Sequence, residues 1–105
     1  MDRKTTRQKV LEILQLAMTE HLNGRSGMIY YQGVPIPCPD GFVPQWALAT
    51  IHIVGSTEGK RRLRELRADP ELQQKYVFEK KKIERNWHYR ILPRGYFSQG
   101  KLAIA

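Results

Sequence analysis

GSTEGKRRLRELRAD, residues 55–69, sets five basic side chains on barely three helical turns beside two leucines. Gly55-Ser56 interrupts the apolar run before it, and Ser56 is placed to cap the helix that follows. At about 100° per residue, Leu63 and Leu66 take the inner face, with Gly59 and Pro70 close to the same azimuth. Thr57, Arg61, Arg64 and Ala68 then point away from the core, and Lys60, Arg62 and Arg67 flank that stripe. Glycine inside a helix costs roughly 1 kcal/mol relative to alanine, so Gly59 on the buried side is expected to let this helix approach its predecessor closely. Two readings follow. Either the helix is built to meet a polyanion, or it is a solvated face on which Glu58 pairs weakly with Arg61 and Arg62.

Upstream, Thr5-Thr6-Arg7-Gln8 has capping-box spacing, and Val10, Leu11, Ile13, Leu14, Ala17, Met18 and Leu22 recur at steps of three and four. Asn23-Gly24 supplies a left-handed stop, so one amphipathic helix is expected over residues 6–22. In residues 25–43, MIYY and VPIP are short β-type runs around Gln32-Gly33, while prolines 35, 37 and 39 forbid a helix. A hairpin or ordered loop is expected there. From Pro44, QWALATIHIV suits a short buried helix, with Pro44 allowed in the first turn, although Thr50, Ile51, Ile53 and Val54 would also suit a strand. Downstream, Asp69 to Lys75 reads as a turn region, followed by two strands, YVFEKKKI and WHYRIL, around a tip at Glu84-Arg85-Asn86. Alternation in the second strand gives an apolar face of Trp87, Tyr89 and Ile91 and a wet face of His88 and Arg90. Residues 93–105 read equally as an edge strand, a partner-binding arm or a loose tail.

The chain has 105 residues, a formal charge of +8 and a pI near 9.9, so one compact domain drawn to polyanions is expected. Residues 56–105 carry thirteen Lys/Arg against six Asp/Glu, which is +7 of that charge and places the binding surface in the second half. No apolar run approaches the roughly 20 residues that span a bilayer, and MDRKTTRQKV leads into no secretory signal pattern. A cytoplasmic protein with no membrane partner is the expectation, nucleoid-associated in a bacterial cell.

Other chemistry is poorly represented. His21, His52 and His88 are scattered, and the single cysteine, Cys38, completes no usual zinc set, so neither a metal nor any other cofactor is expected. Gly55 and Gly59 lack the lysine-serine or lysine-threonine ending of a nucleotide loop. Cys38, between two prolines and without an evident general base, reads as a free structural thiol. Trp46, Trp87, Tyr89, Tyr76 and Phe78 recur or alternate as core residues do. No enzyme is expected.

The order helix, extended segment, helix, tight turn, basic helix, basic hairpin gives an α+β fold. It resembles the winged helix-turn-helix proteins, most closely in G-S-T-E-G-K-R-R-L-R-E-L-R and in the hairpin ending W-H-Y-R-I-L, over about residues 44–92. The resemblance implies three helices (6–22 and a helix-turn-helix over 44–69) and a wing over 76–92; the insert at 25–43 departs from it, being longer and richer in proline and aromatics than the short strand usual there. It also implies binding of double-stranded DNA by a small transcriptional or phage-type regulator. On that reading Arg61 and Arg64 reach base edges, and Thr57 meets a base or a phosphate. Ser56, Lys60, Arg62 and Arg67 meet phosphates, and Lys80, Lys81, Lys82 and Arg85 of the hairpin lie along the neighbouring backbone or enter the minor groove. A symmetric dimer is expected because one such module offers few base contacts, with residues 25–43 or the LAIA tail as its interface. The competing function is a protein-interaction module on the same scaffold, docking a partner through residues 25–43 or the tail.

Overall fold

The structure is a computed structural model that describes residues 4–25 and 27–96. Helix α1 spans Thr6–Leu22, and its start is the expected capping box: Thr5 Oγ1 accepts from the Gln8 N–H, and Gln8 Oε1 accepts from the Thr5 N–H. Val10, Ile13, Leu14 and Ala17 are buried and form the centre of the core, whereas Leu22, at the end of the expected stripe, is exposed. Strands β1 (Gly27–Tyr31) and β2 (Val34–Cys38) form an antiparallel hairpin. Its two turn residues, Gln32 and Gly33, both have positive φ, which is the backbone twist a two-residue hairpin needs and which glycine adopts freely. Ile29, Tyr31, Ile36 and Cys38 alternate inward onto α1, and Tyr31 donates its phenol proton to Glu12 at 2.7 Å.

A short 3-10 turn at Pro39–Gly41 leads to β3 (Val43–Pro44), which pairs with Tyr89 and His88 of the last strand. Proline is tolerated in β3 because this strand is the sheet's edge. The expected helix after Pro44 is divided into α2 (Gln45–Ala49) and α3 (Ile51–Val54). The division has a local cause. Thr50 has extended dihedrals, and its hydroxyl donates to the Trp46 carbonyl at 2.5 Å, taking the acceptor that its own N–H would otherwise have used.

Gly55 to Glu58 form the turn into α4 (Gly59–Ala68). Ser56 does not cap α4: its Oγ accepts from the Glu58 N–H inside that turn, and the N-cap residue Glu58 makes no side-chain cap bond. Thr57 likewise precedes the helix. Gly59, Leu63 and Leu66 are the buried positions of α4. The expected close approach at Gly59 is present, for a Cβ there would stand 1.7 Å from the Leu48 carbonyl oxygen of α2. Pro70 does not continue α4. Asp69 instead caps a further helix, α5 (Pro70–Lys75), in place of the expected turn, with its carboxylate on the Glu71 N–H and Pro70 in the first turn.

The chain then enters the long ribbon of β4 (Tyr76–Ile83) and β5 (Asn86–Pro93). Its turn is Glu84-Arg85 alone, both at positive φ, and Asn86 already belongs to β5. The sheet order is β3-β5-β4, all antiparallel, so the whole is a compact α+β fold with two small sheets. The expected division of β5 into one dry and one wet face is overturned. His88 is buried, and Arg90 lies 4.3 Å from the centroid of Phe42 while donating to Glu79 and to the Asp40 carbonyl. The 3-10 segment and Phe42 meet Arg90 on the side that alternation alone assigns to water. Residues 97–105, and with them the LAIA tail, lie outside the described residues.

Candidate nucleic-acid interface

Burying Gly59, Leu63 and Leu66 divides the rest of α4 into two flanks of different electrostatic character. On one flank Glu58 bonds Arg61 and Arg62 at 3.1 Å, and Glu65 bonds Arg62 at 2.6 Å. These are the weak pairs of the solvated-face reading. The two carboxylates offset the two guanidiniums, Arg62 is only 28% exposed, and the Glu65 and Glu58 contacts hold its pKa above the usual arginine value. The other flank carries Lys60, Arg64 and Arg67, and none of them takes an ion pair among the described residues.

That second flank faces the ribbon. The Arg67 guanidinium lies 5.9 Å from the centroid of Tyr89, within reach of a cation–π attraction. A cleft of about 530 Å³ is lined by Arg64, Arg67, Tyr76, Phe78 and Arg94, and a second of about 410 Å³ by Lys60, Trp46, Arg85 and Trp87. The first cleft lies where the last turn of α4 meets the base of the ribbon and the second where its first turn meets the ribbon tip, and the line from one to the other is the channel between α4 and the ribbon. Strand register decides which lysines enter it. Lys80 lies opposite Tyr89 and Lys82 opposite Trp87, so these four side chains share the ribbon face turned toward α4. Lys81 lies opposite His88 on the other face, 5.7 Å from the Phe42 ring. Lys60, Arg64, Arg67, Lys80, Lys82 and Arg85 are therefore brought together, whereas Arg61 and Arg62 are self-paired and Lys81 is turned away.

Ser56 and Thr57 stand in the turn before α4 and line neither cleft. Arg85 is held at φ +70, a conformation glycine would adopt at less cost, so its side chain sits at the ribbon tip despite the local backbone preference. The sequence pattern misplaced Trp46 and Trp87 in the core: they are 47% and 39% exposed. Burial along the inner ribbon face falls from Ile91 through Tyr89 to Trp87, because the ribbon leaves the core as it runs toward its tip. Proximity to the polar turn at 84–85 was the signal available for Trp87.

Cys38 is buried, and burial pushes its thiol up to about 12, so almost no thiolate forms at neutral pH. Among the described residues no cluster of His, Cys, Asp or Glu is arranged to hold a metal ion, and no helix is long and apolar enough to cross a membrane. Comparison of the chain with protein-family models, curated proteins and solved structures found no match.

Proposed function

We propose that the chain binds double-stranded DNA in the manner of a winged helix-turn-helix protein, with α4 entering the major groove and the β4–β5 ribbon lying along the neighbouring backbone. The observation that carries this reading is the shared channel. Six cations from two elements, Lys60, Arg64 and Arg67 of α4 with Lys80, Lys82 and Arg85 of the ribbon, gather along it with no ion pair among the described residues. Like charges gathered this way repel, and a polyanion relieves that repulsion. The β3-β5-β4 order, with α4 followed by the short α5 and then by the ribbon, further supports the winged-helix reading. Arg64 is the best placed residue for a bidentate contact to guanine, and the ribbon lysines for phosphates. The role that fits is a small DNA-binding regulator.

A gel shift at physiological salt with duplex DNA, single strands and structured RNA tests this. Retardation of duplex at micromolar protein is expected, and its absence would favour the second reading. That reading, a protein-interaction module, draws support from the β1–β2 hairpin, where the cross-strand pairs Met28–Pro37 and Tyr30–Pro35 line an exposed apolar face.

A further inference from the structure

Both tryptophans of this chain, Trp46 and Trp87, line one cleft at the ribbon-tip end of the channel. We propose that this cleft holds an unpaired base beside the duplex, so that the protein prefers DNA carrying a single-stranded extension to blunt DNA. The inference rests on the DNA-binding reading above and adds a ligand feature to it.

The chemistry of the walls selects the ligand. Two indoles left 47% and 39% exposed in one concavity offer flat apolar surfaces that gain from being covered. Beside them stand two carboxamides, Gln45 and Asn86, each able to donate and accept, and two cations, Lys60 and Arg85. Lys80 and Lys82 lie 5.0 and 5.7 Å from the centroid of Trp87 and hold further positive charge at its ring. A flat heteroaromatic ring edged with donors and acceptors and joined to phosphates matches all three features. A nucleotide has that construction. Bases within a duplex already have both faces stacked and their pairing edges filled, so only an unpaired one can use the cleft. The cleft has about 410 Å³, a volume typical of small-molecule sites, which run roughly 300–1,000 Å³. Its position continues the channel, so a strand leaving a bound duplex at the ribbon tip reaches it without a second binding event.

The test is a fluorescence titration of the full chain at fixed salt with a blunt duplex and with the same duplex carrying a four-thymidine overhang at either the 5′ or the 3′ end. A third DNA carries an abasic overhang of equal length and charge. All tryptophan emission arises from Trp46 and Trp87, so quenching by the thymidine overhang beyond that of the blunt and abasic DNAs reports on a base in this cleft. One thymidine overhang should bind about tenfold tighter than the blunt and abasic DNAs, the worth of one stacked base, and should quench the emission. Trp46→Ala should bring the ratio of overhang to blunt affinity down to about one, and Trp46→Phe should restore part of it. Equal affinity for all the DNAs with unquenched emission overturns the proposal and leaves duplex binding intact. Failure of every DNA to bind overturns both. The abasic comparison needs no variant and decides the matter even if Trp46→Ala does not fold.

Discussion

Arg61 and Arg64 lie one turn apart on α4 and look equivalent in the sequence, yet their surroundings differ. Arg61 is held at 3.1 Å by Glu58, whereas Arg64 lines the cleft against the ribbon and has no acidic partner among the described residues. Releasing Arg61 to DNA would first break its pair; Arg64 has nothing to release. Arg64→Ala is therefore expected to weaken binding to a selected duplex site by about 1–3 kcal/mol, and Arg61→Ala by clearly less, as read by fluorescence anisotropy. Equal losses would undo the distinction between the flanks. The azimuths of all five basic residues were legible from the positions of Leu63 and Leu66. Which of them were neutralised was not, because pairing depends on rotamers that helical periodicity does not specify. Gly59 is a residue whose role was legible in advance. A methyl there would meet the Leu48 carbonyl at 1.7 Å, a backbone atom that cannot rotate aside. Gly59→Ala should therefore lose its helix-propensity gain and destabilise by at least the roughly 1–3 kcal/mol of core overpacking, seen as a lower urea midpoint at unchanged slope.

At the scale of elements, α1 and the β4–β5 ribbon were readable because each follows a local rule, a capping box with a stripe at steps of three and four and two β-type runs around a polar break, and the Gln-Gly turn made a β1–β2 hairpin one of the two forms expected there. The division at Thr50 and helix α5 were not. The first depends on a hydroxyl taking a backbone acceptor, and the second on Asp69 capping a helix of six residues too short to display a period. The two faces of β5 were misjudged for another reason. Alternation states that two faces exist, but only tertiary placement states what covers each, and here Phe42 and the 3-10 turn hold Arg90 while His88 is buried. The same parity makes a prediction for β4. Lys82→Ala, on the channel face, should lower the slope of log K against log salt for duplex binding by about one, and Lys81→Ala should leave it nearly unchanged. A slope change for Lys81→Ala equal to that of Lys82→Ala would place the duplex elsewhere on the ribbon.

Across the whole molecule, α1 is the hub on which the hairpin, α4 and the sheet converge, and polar ties reinforce it at its surface. Tyr31 of β1 bonds Glu12, Tyr76 of β4 accepts from Gln15 at 3.2 Å, and Arg7 pairs with Asp69 at the α4–α5 junction. Hydrogen bonds from Lys4 and Tyr31 hold the Glu12 carboxyl below its ordinary value. A depressed folded-state pKa contributes stability that is complete above the unfolded value, about 4.3, and is lost as pH falls through the folded value. Glu12→Gln should therefore lower Tm at pH 7, and the gap to the parent protein should close as pH falls from 5 toward 3; a gap independent of pH would show that the carboxylate charge does not contribute. The six cations along α4 and the ribbon carry the functional account. Backbone amide shifts on adding an unlabelled duplex to the isotope-labelled chain test it most directly. Perturbations are expected to concentrate at Lys60, Arg64, Arg67, Lys80, Lys82 and Arg85 and to spare residues 27–38. Shifts centred on the β1–β2 hairpin or around Lys81 and Phe42, or no shifts at saturating DNA, would contradict it.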